Sequence, residues 1–193
     1  MIEYINAASD LNQRFPSIIQ TREFSNLYFE NKYFLPKKNL SWQDLKPGLM
    51  YTFDYLPPYD PKISNYIDRR PIIIVIPQPS GYPKFKLFGI NLNLVKPQVR
   101  MNFLSTLSNL VGIYYTKDGS ISKDGDYMEL LSKLNINSAR VILKDYPIER
   151  IVKGFDLKYI SGFSEISIAD WIYIPFIDDF KIEGTSINRI YNA

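Results

Sequence analysis

The chain has no cysteine and no histidine among its 193 residues. The first absence removes disulfides, thiolate nucleophiles and sulfur-ligated zinc, and the second removes the commonest general base and imidazole metal ligand. Most familiar hydrolase designs go with them, and the expectation is a protein that is not an enzyme and holds no cofactor. Long apolar runs are also missing. The longest, residues 72–76, is five residues long, against the roughly 20 that cross a bilayer. The opening "MIEYINAASDLNQRF" has no basic segment leading into an apolar one, so neither a membrane partner nor a secretory leader is expected. Nor does one sign of charge dominate: 23 basic and 20 acidic residues leave +3, too mild to diagnose nucleic-acid binding. Residues 1–100 carry 13 basic against 8 acidic residues and the remainder 10 against 12. Alanine is scarce, 5 against 26 isoleucines, beside 15 lysines and 14 asparagines. AT-rich coding produces such a bias, so scattered Lys and Asn carry little information.

What is present is apolar enough for a real core: 46% of residues are hydrophobic, which suits one domain. Residues 1–45 show no clean period and contain the aromatic stretch "NLYFENKYF" followed by Pro36, Lys37 and Lys38. They read as a short helix, an extended arm and a turn. "LKPGLMYTFDYLPPYDP" gives a turn at Lys46-Pro47-Gly48 and an alternating strand whose Tyr51, Phe53 and Tyr55 side faces the core. Between Pro71 and Pro77 lies "IIIVI", an unbroken β-branched run that predicts a central strand buried on both faces. "KFKLFGINLNLV" is a third strand, with Gly89 at a bulge or close backbone approach. Pro97 opens a helix with an apolar stripe of Val99, Met101, Phe103, Leu104, Leu107, Leu110 and Val111. Asp-Gly at 118–119 and 124–125 predicts a hairpin or paired turns. A short helix follows over 126–134, another after a capping Asn137, then a strand to Ser167, a one-turn break over 168–170, a closing strand over 171–176 and a last helical turn in "GTSINRIYNA".

Two chemical patterns invite a functional reading. The Asp-Gly pairs beside Glu129 suggest a calcium loop, but counting from Asp118 the third and fifth positions are Ser120 and Ser122 and the sixth, which should be Gly, is Lys123. The turn dipeptide explains the pattern without a metal. Asp170, Asp179 and Lys181 resemble the two carboxylates and lysine of a Mg²⁺ nuclease, though the spacing is loose and Asp-x-Lys is common by chance.

Two surfaces remain. Lys62, Arg69, Arg70, Lys84 and Lys86, with Lys96 and the tyrosines 55, 59, 66 and 82, are candidates for contact with nucleic acid through its phosphates. Pairing of the arginines with Asp60 and Asp68 is the plainer reading. Tyr28, Phe29, Tyr33 and Phe34 form the candidate subunit interface, either against a neighbouring chain or docked on the chain's own sheet. Together these readings predict an α+β fold: a single domain over 46–193 on a small, strongly bent antiparallel sheet, an open SH3-like β-barrel with flanking helices, preceded by an N-terminal arm over 1–45.

In combination, "KPGLMYTFDYLPPYDP", "YIDRRPIIIVI", "FGINLNLVKPQVRMNFL" and "YISGFSEISIADWIYIPF" resemble a family of small proteins encoded in the structural gene blocks of tailed bacteriophages, over residues 46–178. The resemblance implies a virion-associated role in head completion, neck, tail or DNA-end protection, with assembly in the host cytoplasm. It implies partners of two kinds, a homo-oligomer of the chain and other phage structural proteins such as portal, neck or tail subunits. It carries no catalytic residues. Asn93 stands where the family more often has His or Phe, a departure that touches packing. The expectation is a structural subunit of a neck or tail connector ring, with a DNA-end-binding or packaging accessory protein as the alternative.

Overall fold

Prolines and glycines punctuate the chain into strands, and the strands pair only one way. The computed structural model describes residues 18–34, 40–61, 64–78, 80–81, 86–115, 121–123, 126–144, 146–178 and 180–192. Gly48, at φ +84°, turns the backbone into β1 (Met50–Tyr55). β2 (Ile67–Asp68), β3 (Ile72–Val75) and β4 (Lys86–Asn91) follow. β7 (Val152–Asp156) and β8 (Ile160–Ile166) complete a five-stranded antiparallel sheet of order β7-β4-β3-β1-β8.

β3 is the central strand, as its uninterrupted β-branched sequence predicts, and Ile72, Ile73 and Ile74 are fully buried. Ile73 sits between Tyr51 and Asn91 in the register. A Cβ on Gly89 would lie 2.7 Å from the Cδ1 of Ile73, so the glycine is the space that Ile73 fills. β1 departs from the expected one-sided burial: Met50 and Thr52 are as buried as Tyr51 and Phe53. Strand β1 lies between β3 and β8, where both of its faces are covered.

The two edge strands are neighbours in the chain. β7 and β8 are joined by one 3-10 turn, Leu157–Tyr159, and Leu56 N–H donates to Tyr159 O at 2.9 Å. Phe155 of β7 meets Phe53 at 5.2 Å and Tyr55 at 5.1 Å between ring centroids, although β4 and β3 separate it from β1 in the sheet. The sheet therefore curls over its own aromatic side chains. Among the described residues no register joins β7 to β8, so it stays open.

The expected closing strand is helical instead: Ile168–Phe176 forms a 3-10 helix. Trp171, Ile174 and Ile177 are all nearly inaccessible, and a run buried on every side has no period that separates helix from strand. α2 (Pro97–Leu110) begins at Pro97 as predicted. It buries Phe103, Leu104 and Leu107 but leaves Leu110 exposed. Arg100, also buried, donates from Nη1 to Ile174 O at 3.0 Å and ties α2 to the 3-10 helix. β5 (Ile113–Tyr115) pairs with β6 (Ile121–Lys123) as a hairpin, whose Asp118-Gly119 turn lies outside the described residues. α3 (Tyr127–Ser132) is capped by Asp126. α4 (Ile136–Ile142) is capped by Asn135 rather than by the expected Asn137, whose N–H is one of the two that the cap satisfies. α5 (Ile148–Ile151), β9 (Ile182–Glu183), which pairs with β2, and α6 (Ile187–Asn192) finish the chain.

The largest difference from expectation is at the front. Residues Ile18–Tyr33 form one helix, α1, of 16 residues, so "NLYFENKY" is helical rather than an extended arm. Its buried stripe is Thr21, Ser25, Phe29 and Tyr33, four residues apart and half of it polar. Phe24 and Leu27, on the outer side, are exposed at 37% and 59%. That inversion hides the helix from any hydrophobic-period reading. Pro36, Lys37 and Lys38 lie outside the described residues.

Candidate functional site

Asp170 of the 3-10 helix is buried and accepts from three side chains of α1. Tyr28 Oη donates at 2.9 Å, Lys32 Nζ at 2.6 Å, and Tyr33 Oη donates to the same oxygen as Lys32. Ser167 N–H in turn donates to Tyr33 Oη at 3.1 Å. Burial pulls the Lys32 ammonium down, but its hydrogen bonds to Asp170 and Tyr28 outweigh that and raise it above the ordinary lysine value. Burial, reinforced by Asp170, raises the Tyr33 phenol. Further along, Asn26 and Asp178 exchange two hydrogen bonds, Nδ2 to Oδ1 at 2.7 Å and N–H to Oδ1 at 3.1 Å. This network fixes α1 to the body of the chain.

Of the candidate interface residues, Phe29 and Tyr33 thus follow the docked alternative. Tyr28 and Phe34 are partly buried against the same core. Asp170 is committed to α1, Phe180 lies under the Arg100 guanidinium at 5.1 Å, and Asp179 is outside the described residues. No group of three or more acidic residues that could hold a metal occurs among the described residues. Glu129 pairs with Lys133 at 2.5 Å.

Three of the candidate DNA-contacting cations, those among the described residues, have partners. Arg69 bonds Glu183 and Pro57 O; Arg70 bonds Asp54 at 3.0 Å and lies over the Phe34 ring; Lys86 stands 3.7 Å from Asp156. The partners of the arginine side chains are Asp54 and Glu183, not the expected Asp60 and Asp68, because β2 and β9 pair beside them. Lys62 and Lys84 lie outside the described residues.

A constellation absent from the sequence reading sits at one end of the curled sheet. The loop after β1 and strand β2 close over β4 and β7 to leave a pocket of about 390 Å³. Asp68 forms its floor and is buried. Its Oδ2 accepts from Asn91 Nδ2 at 2.9 Å and Asn93 Nδ2 at 2.8 Å, and its Oδ1 from Arg70 N–H at 3.2 Å. Asn93 also donates to Arg70 O, so this residue helps to hold β2 on the sheet. Tyr55, Tyr66 and Tyr159 supply aromatic wall, and Lys153 reaches in from β7. Its ammonium lies 5.4 Å from the Tyr66 ring centroid, and burial lowers it from the ordinary lysine value. The one sequence signal was Asn-Leu-Asn-Leu at 91–94: two asparagines in an apolar stretch demand buried partners.

Burial raises the Asp68 carboxyl to about 6, more than its three donors lower it. Its folded value thus lies above the unfolded one, so its stabilising contribution is full below about pH 4 and is lost as the pH rises through about 6. A shift of this size corresponds to about 3 kcal/mol. Across that window the wild type should lose stability relative to Asp68→Asn in denaturant melts, and parallel pH profiles for the two chains would refute the assignment.

Comparison with protein-family models, with curated proteins and with solved structures gives no match.

Proposed function

We propose that this chain is a structural subunit that acts by shape and self-association rather than by chemistry, with the outer face of α1 as its contact with a second copy. The observation that carries this reading is the inverted helix: Thr21 and Ser25 face inward while Phe24 and Leu27 face solvent. An apolar pair held out by a helix that Asp170 locks in place is preorganised, so little ordering is lost on contact. Phe24 stacks on Tyr28 at 5.9 Å and meets Tyr173 at 6.0 Å. Phe24 and Tyr28 line a shallow groove with Leu27, Asn31 and Lys32. The helical face presents one small apolar patch per chain, which suits the repeated contacts of a closed oligomer.

The fold we propose is an open SH3-like barrel. Strand order β7-β4-β3-β1-β8, the 3-10 turn between the two edges and the Phe155 contacts across the interior support it. With the resemblance over residues 46–178, it supports a place in a tailed-phage virion, as a neck or tail connector component. Leu27→Glu puts a charge on the groove without touching the buried stripe. It should leave the melting temperature unchanged and weaken self-association by about tenfold or more in sedimentation measurements, the usual effect of losing an apolar anchor to a charge. A wild-type chain that stays monomeric at high concentration, alone and with its gene neighbours, would remove the reading.

A further inference from the structure

The charged groups of the pocket at the end of the sheet are unequally satisfied. Asp68 has three donors, and Lys86 has Asp156. Lys153 has no carboxylate within ion-pair distance among the described residues; its one polar contact is the face of Tyr66. A desolvated ammonium facing only a ring destabilises a fold, and residues kept against stability mark binding sites. Lys153 shares its pocket with Tyr55, Tyr66 and Tyr159 and about 390 Å³ of space, within the range of small-molecule sites.

We propose that this pocket binds a nucleotide-like ligand, a planar heterocycle bearing a single phosphate group. The phosphate meets Lys153, and the ring stacks on the tyrosine wall. A triphosphate is disfavoured, because one unpaired cation serves the site and Asp60, Asp68 and Asp156 on its wall repel further negative charge. A purely cationic ligand is disfavoured by Lys153 itself.

The test is calorimetric titration of the full chain with the nucleoside 5′-monophosphates, the parent nucleosides, inorganic phosphate and a 5′-phosphorylated dinucleotide. Saturable binding of at least one monophosphate is expected, with its nucleoside and inorganic phosphate each weaker by about tenfold or more, the worth of one charge-assisted bond or one stacked ring. Dinucleotide binding as tight as the monophosphate assigns the ligand to a strand terminus, and weaker binding assigns it to the free nucleotide. Lys153→Met keeps the stem and removes the charge. It should lose about tenfold or more in affinity while melting no lower than the parent. No saturable binding by any monophosphate, unchanged affinity in Lys153→Met, or a Lys153→Met chain less stable than the parent would each overturn the proposal.

Discussion

Val75→Asp is expected to abolish cooperative folding. Val75 ends the central strand, is 5% exposed, donates its N–H to Leu49 O at 3.0 Å and pairs in register with Gly89. A carboxylate there meets a wall of isoleucines with no donor built to receive it. Burying an unpaired polar group costs about 2–7 kcal/mol, and an ionised one more, to which the lost valine packing adds about 1.5 kcal/mol or more. The sum is comparable with the whole stability of a domain this size, about 5–15 kcal/mol. Circular dichroism and a urea melt measure it. A soluble chain with an unchanged melt would mean that β3 is not the centre of the sheet.

Deleting residues 1–33 should be about as damaging, although an arm that merely reaches for a neighbour would be dispensable. The deletion removes Phe29 and Tyr33 from the core, about 1.5–3 kcal/mol each in apolar burial. It also strips Asp170 of Tyr28, Lys32 and Tyr33. Losing the hydrogen bonds of a charged group costs about 1.5–3 kcal/mol. The truncated chain should therefore expose its aromatic core, bind hydrophobic dye and show no sharp transition. A truncation that melts like the full chain would show that α1 is an accessory and not part of the core.

How much of this was legible in the sequence differs by element. β3 was legible because Pro71, Pro77 and five β-branched residues between them leave one reading, and α2 because Pro97 is followed by a clean apolar stripe. The helical form of 168–176 was not, since burial on all sides erases periodicity. The extent of α1 was hidden for the opposite reason: its buried face spends two of its four positions on Thr21 and Ser25, so the short helix expected there has no apolar period to carry it through "NLYFENKYF". The pocket was less legible still. Lys153, Asp68 and Asn91 are far apart in the chain, and only the register of β4 with β7 and the return of β2 bring them together. The cations that a sequence reading singles out by clustering, Arg69 and Arg70, are those with partners, because clustered charges in a folded chain attract counter-charges such as Asp54 and Glu183.

The chain order of the sheet edges also sets the order of events during synthesis. β1, β3 and β4 are close in sequence and can pair early, but the other side of β1 waits for β8: Met50 pairs with Ile166. A strand edge that stays unpaired while most of the chain is made is open to pairing with another molecule, and contacts of such sequence separation slow folding. α1 waits longer, because its anchor Asp170 emerges after β8. A helix synthesised ahead of the whole sheet is therefore placed only after the sheet's last strand, and a ribosome that elongates this chain slowly leaves its aromatic side chains without partners until Asp170 emerges.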